Sequence, residues 1–194
     1  MQLPFLNSIP HAEISWYSML SQTDYRVPKL WQEWLFDSGS LTQRLMDASY
    51  GDLTVNVINQ KFKVPSLSER HALGLPDRQK AMVREVLLCG VGRPWVFARS
   101  VLPLSTLSGR LRQLRHLDNQ PLGALLFKDP TMTRGPVEVA CVNSANNKLP
   151  CRTLTADSCF WGRRSVFRLD KKPLLVAEFF LPSFNTERLY SIRL

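Results

Sequence analysis

Three histidines and four cysteines are all that the 194 residues offer to a soft metal ion. His11, His71 and His116 lie far apart, and Cys89, Cys141, Cys151 and Cys159 form no C-x-x-C pair, so the ligand spacing of a zinc site is missing. Glycine is sparse, at nine residues, and none falls into G-x-G-x-x-G, a P-loop or G-x-S-x-G. Dinucleotide cofactors, P-loop nucleotides and serine-hydrolase chemistry therefore find no support. No apolar run approaches the roughly 18 residues that cross a bilayer. The opening MQLPFLNSIPHAEISW lacks the basic start and unbroken apolar block of a secretory leader. These absences point to the cytoplasm, where cysteines stay reduced and disulfides are not expected. Acidic residues are also in deficit, 16 against 25 Lys and Arg, a net charge of +9 that calls for an acidic partner without choosing between nucleic acid, a membrane surface and a small anion.

What is present is an ordinary globular composition, 44% hydrophobic and 21% charged, enough for one domain with its own core. There is no internal repeat. Residues 1–26 are weakly patterned and read as an extension to a domain spanning 27–194. Leu30, Trp31, Trp34 and Leu35 share a helical stripe behind Pro28, and Ser40 can cap a second helix carrying Leu41 and Leu45. The period then changes to two over residues 52–58. Residues 66–80 are polar and read as a loop. Residues 82–89 and 94–102 are apolar strands joined through Gly90–Arg93, a hairpin. Leu107, Leu111, Leu114 and Leu117 return to helical spacing, PLGALLF at 121–127 is a short helix, and 137–142, 164–170 and 173–181 are strands. The predicted architecture is α+β: an antiparallel sheet of about six strands with flanking helices.

Two charges interrupt apolar rows. Arg84 alternates with Met82, Val86 and Leu88, and Glu178 with Leu174, Val176 and Phe180. Both strands are apolar on both sides, so both faces are expected to be covered. A buried charge is costly unless paired with another charge or with a ligand. Either Arg84 and Glu178 form a structural ion pair, or they line a pocket for a small acid, with Arg84 as carboxylate clamp.

The segment REVLLCGVGRPWVFARSVLPLSTLSG at 84–109, PLGALLF at 121–127, WGRRS at 161–165 and KPLLVAEFFLP at 172–182 resemble the chorismate lyase (chorismate–pyruvate lyase) family, in the family's order. The resemblance implies one antiparallel sheet enclosing an internal ligand site. It implies conversion of chorismate to 4-hydroxybenzoate and pyruvate, the first step of bacterial ubiquinone ring synthesis, with no metal or organic cofactor and with slow product release. Its active-site arginine falls on Arg84 and its glutamate on Glu178. A ligand contact falls on Leu122, and a further contact, usually methionine, falls on Leu41. The connection at 143–160 is longer than in the family and reads as a surface insertion. The expected partner is the small molecule chorismate alone, with neither nucleic acid nor a membrane span, acting on a monomer.

The remaining basic residues read mostly as surface. Arg163 and Arg164 either guide an anionic substrate or phosphate or, as the favoured reading, form a solvated or salt-bridged surface, and Arg110, Arg112 and Arg115 form the wet face of the 105–117 helix. Arg99 is read equally as a second pocket cation or a rim residue. Thr131 and Thr133 are read as turn formers. The rival function is a non-catalytic ligand-sensing domain of the GntR regulator type, although no helix-turn-helix is evident.

Overall fold

A computed structural model describes residues 14–18, 27–143 and 159–184. The chain builds β1 (Tyr17–Ser18), α1 (Lys29–Leu35), α2 (Leu41–Ala48), β2 (Leu53–Lys63), α3 (Leu67–Leu73), β3 (Ala81–Gly90) and β4 (Arg93–Pro103). A 3₁₀ segment (Gly109–His116), α4 (Leu122–Leu126), β5 (Thr133–Arg134), β6 (Glu138–Asn143), β7 (Cys159–Leu169) and β8 (Lys172–Phe180) follow. Among the described residues the strands form one sheet of eight, in the order β1-β6-β7-β8-β4-β3-β2, with β5 attached to β7. Every pairing among the described residues is antiparallel. The sheet exceeds the six strands expected because two of its members are only two residues long, too short for any period-two pattern.

Two tight hairpins set the central register. Val91 and Gly92 join β3 to β4, and Asp170 and Lys171 join β7 to β8, all four with positive φ, as in two-residue turns matching the strand twist. Arg84 of β3 then faces Ser100 of β4, which faces Val176 of β8, which faces Ser165 of β7. The next row of the same face is Val86, Ala98, Glu178 and Arg163. Close packing fixes the glycine of WGRRS: a methyl at Gly162 would sit 2.6 Å from the Phe179 ring.

Both faces are covered, as the unbroken apolar strands require. On the face carrying Arg84, α1 and α2 bury Trp34, Leu35, Leu41 and Leu45 against Val86, Leu88, Val96 and Phe180. Beside them, the 3₁₀ segment and α4 bury Leu111, Leu114, Leu122 and Leu126 against Met82, Leu102 and Leu174. The opposite face packs α3 through Leu73 on Val83, Val101 and Leu175, and Trp16 on Phe179 at a ring distance of 5.7 Å.

Several local expectations change. The polar stretch 66–80, read as a loop, holds α3, started by a capping box in which Ser66 and Glu69 satisfy each other's backbone N–H and ended by Gly74 at φ 64°. The 105–117 helix is a 3₁₀ segment over 109–116. A register shift at Leu88/Cys89 moves Trp95 off the Phe97–Arg99 side and into the core with Val96. The expectation of reduced cysteines fails at Cys141, which is disulfide-bonded, whereas Cys89 is free and buried. That expectation rested on compartment, which carries no information about which sulfurs the fold brings together. Of the lengthened connection 143–160, residues 144–158 lie outside the described residues, while Asn143 ends β6 and Cys159 and Phe160 begin β7; most of the amino-terminal extension, 1–13 and 19–26, also lies outside them.

Candidate active site

The two clusters covering the Arg84 face meet along a seam, and a cavity lies in it. Its floor is the two central rows of the sheet, including Val86, Ala98, Ser100 and Val176. Its roof comes from the starts of two helices, Gly39–Thr42 at α2 and Pro121–Gly123 at α4. Leu41, Arg84, Leu122 and Glu178, the four residues singled out in the sequence, all line it. Leu41 and Leu122 are the first residues of α2 and α4, a helical position whose backbone N–H has no intrahelical acceptor. The backbone as well as the side chain is thus on offer there.

Arg84 is 2% exposed. Its Nη2 donates to the carbonyls of Asp118 at 2.8 Å and Gln120 at 3.0 Å, which orients the guanidinium. Its Nε is buried and without a partner, and among the described residues no carboxylate reaches it in an ion pair. Burial pushes its pKa down, with Asp118 opposing weakly, yet an arginine stays protonated. The result is a desolvated cation with a spare donor, lining the cavity.

The alternative of an Arg84–Glu178 ion pair is therefore excluded. The partner of Glu178 is Arg163, whose Nε donates to Glu178 Oε2 at 2.7 Å. Arg163 is 2% exposed, and its Nη1 donates to the carbonyls of Trp34 at 2.8 Å and Asp37 at 3.0 Å. The expectation of a surface role for Arg163 and Arg164 is corrected: both are buried, with Arg164 on the other face, held by Glu138 at 2.6 Å and Ser68 at 2.7 Å. The reason is strand length. β7 starts at Cys159, so Trp161, Arg163, Ser165 and Phe167 form one inward row that a strand begun at residue 164 does not reveal. Glu178 keeps 18% of its side chain accessible, and its second oxygen remains for a ligand.

Arg99 is neither pocket cation nor rim. It lies on the opposite face, in a buried network with Glu69 (Nε to Oε1, 2.6 Å) and Glu85. Arg134, by contrast, lines the cavity, and no sequence signal marked it. It sits on the two-residue β5, its Nε donating to Ser165 Oγ at 3.1 Å and its Nη1 to the Asp37 carbonyl at 3.1 Å. Burial, and then the neighbouring Arg163, lower its pKa. Thr131 behaves as a turn former, its hydroxyl 2.7 Å from Asp129 Oδ1 and bonded to Arg110 at 3.0 Å. Among the described residues no cluster of metal-ligating side chains occurs.

Two buried guanidiniums, a half-buried third and one carboxyl around a largely apolar floor suit a domain that takes up a small, partly apolar acid. The comparisons with known proteins narrow that class. The chorismate lyase family model matches residues 13–191. A protein of Marinobacter nauticus named "Probable chorismate pyruvate-lyase" is 38% identical over 170 residues, 86% of each chain. One of Pseudomonas fluorescens with the same name is 44% identical over 153 residues, 79% of this chain and 80% of its own. The chain belongs to the chorismate lyase family. Among solved structures it resembles the effector domain of PhnF from Mycobacterium smegmatis, with a TM-score of 0.54 and 13% identity over 75% of this chain and 90% of that one. It also resembles the C-terminal domain of a histidine utilization repressor from Pseudomonas syringae, with a TM-score of 0.53 and 10% identity over 69% and 94%. At such identities the likeness is one of fold.

Proposed function

We propose that this chain cleaves chorismate to 4-hydroxybenzoate and pyruvate, in the cavity lined by Arg84 and Glu178. The observation that carries the site assignment is the state of Arg84: buried, held by two carbonyls, without a carboxylate and with an unpartnered Nε. A desolvated cation of that kind is satisfied by a bound carboxylate.

Chorismate carries one carboxylate on its ring, a hydroxyl on the opposite ring carbon and, beside that hydroxyl, an ether-linked enolpyruvyl group with a second carboxylate. Breaking the ring carbon–ether oxygen bond and removing the hydrogen on the hydroxyl-bearing carbon makes the ring aromatic. The hydrogen ends on the methylene of the departing group, which leaves as pyruvate, so atoms and charge balance with no co-reactant. Aromatisation drives the reaction, and the protein has to orient the substrate and stabilise charge that develops on the ether oxygen.

Arg84 and Glu178 lie two strands apart and two residues offset, about 10 Å across the sheet by about 7 Å along it. Their side chains reach inward from the ends of that diagonal, a span suited to a benzoate ring with substituents at opposite ends. Arg84 holds the ring carboxylate. Glu178, anchored by Arg163, accepts the hydrogen bond of the ring hydroxyl, and the N–H groups of Leu41 and Leu122 add polar contacts from the roof. The apolar floor excludes water, which strengthens each contact.

The reaction fits the cytoplasm and the supply of the ubiquinone ring. The proposed active unit is the monomer. The fold is shared with regulator domains, and a sensing domain would bind a ligand without transforming it. Incubation of the purified protein with chorismate, without added metal or cofactor, separates the two. Equimolar 4-hydroxybenzoate and pyruvate are expected. Binding of chorismate without product would sink the lyase reading and favour the sensor.

A further inference from the structure

The cavity holds more positive charge than the product can use. Arg84, Arg134 and Arg163 line it, and Glu178 is paired through Arg163. The balance among these four groups is +2. A hydroxybenzoate monoanion matches one of those charges, and a dicarboxylate matches both. Arg84, at one end, answers the ring carboxylate. The second uncompensated cation is Arg134.

Arg134 is placed for such a role. It is half-buried, and among the described residues it enters no ion pair. It is fixed at two points, Ser165 Oγ and the Asp37 carbonyl, and its guanidinium lies 5.2 Å from the centre of the Phe167 ring. The same Asp37 carbonyl accepts from Arg163, so Arg134 is tied next to the arginine that holds Glu178. Two like charges pressed together in a desolvated setting are costly, and an anion between or beside them relieves that cost. Glu178 and the Asp37 carboxylate attract Arg134 without pairing with it: Glu178 is bonded to Arg163 at 2.7 Å and the Asp37 carboxylate faces Arg44 at 3.4 Å. In chorismate, the enolpyruvyl group is attached to the carbon beside the one whose hydroxyl meets Glu178. Its carboxylate therefore lies at the Glu178 end of the site, where Arg134 is.

We infer that Arg134 binds the enolpyruvyl carboxylate of the substrate and so distinguishes chorismate from the monocarboxylate product. The inference rests on the lyase reading. Once the carbon–oxygen bond breaks, the pyruvyl carboxylate departs and Arg134 loses its counter-ion while Arg84 and Glu178 keep theirs. Arg134 thus contributes to selecting substrate in the presence of product and has little part in holding the aromatic ring.

The experiment compares Arg134→Gln and Arg134→Lys with wild type, measuring kcat/KM for chorismate and, separately, the Kd of 4-hydroxybenzoate by calorimetry. For Arg134→Gln, kcat/KM is expected to fall at least tenfold while the product Kd stays within threefold. Arg134→Lys, which keeps the charge, is expected to recover part of the loss. A merely structural role would weaken both ligands by the same factor, and either that result or unchanged kcat/KM would overturn the inference. If wild type itself fails to turn chorismate over, the lyase reading fails instead.

Discussion

Arg163 and Glu178 face each other across the β7–β8 pair, joined by a 2.7 Å bond from Nε to Oε2. The same guanidinium reaches the carbonyls of Trp34 and Asp37 at the end of α1. One buried arginine thus fixes the Glu178 carboxyl and fastens the end of α1 to the sheet. The two partners should respond differently to substitution. Arg163→Met leaves Glu178 and two carbonyls uncompensated and is expected to cost about 3 kcal/mol of stability, the usual penalty for breaking a buried pair from one side. Glu178→Gln keeps a hydrogen-bonding group of the same shape and is expected to stay folded with an activity loss of about 100-fold or more. Urea midpoints and kcat on both variants check the contrast.

Arg84→Met keeps an apolar side chain in the seam and removes the charge together with the donors to the Asp118 and Gln120 carbonyls. Charge-assisted hydrogen bonds of about 1.5–3 kcal/mol correspond to a loss of roughly 10- to 100-fold in affinity. The Kd of 4-hydroxybenzoate for this variant, measured by calorimetry, should weaken by that factor. An unchanged Kd would remove Arg84 from the site.

The roof offers a kinetic test. α2 and α4 approach each other at Gly123, where a methyl group would lie 2.8 Å from Thr42 Oγ1. Gly123→Ala must displace Thr42 or part the two helix starts. If product escapes by their separation, its dissociation rate in stopped flow should rise several-fold, with little change in urea stability. A dissociation rate equal to wild type would show that the exit lies elsewhere.

The network on the far face sets a pH dependence of stability. Burial pushes the Glu69 carboxyl up, but hydrogen bonds and charge from Arg99, with help from Ser66, outweigh it, and the net shift is downward. A depressed carboxyl stabilises the fold fully above its unfolded value of about 4.3, and that contribution is lost as pH falls through the lower folded value. Glu69→Gln should therefore be clearly less stable than wild type near pH 7, with the gap narrowing as acid is added below about pH 4. A gap constant down to pH 3 would contradict this.

How much was legible follows from pattern length. Arg84 and Glu178 each sit inside long apolar strands, so one charge in a period-two row is conspicuous, and the two residues do line one cavity. Their relation to each other was not legible, because a row shows which face a charge takes and says nothing of which strand lies opposite. Arg163 was recoverable, since Trp161 and Phe167 share its parity and extend the strand backward. α3 was recoverable too, because Ser66 and Glu69 spell a capping box. Arg134 was not: β5 is two residues long, and no periodicity exists at that length. Arg99 fell on the opposite face through the alternation of β4, where its partner Glu69 arrives from a helix 30 positions upstream.

The most direct measurement is a crystal structure of the protein with 4-hydroxybenzoate bound. The ring is expected on the floor of Val86, Ala98 and Val176, the carboxylate against Arg84 and the hydroxyl against Glu178. A reversed ring, with its carboxylate between Arg134 and Arg163, or a ligand bound outside the seam between the two clusters, would contradict it.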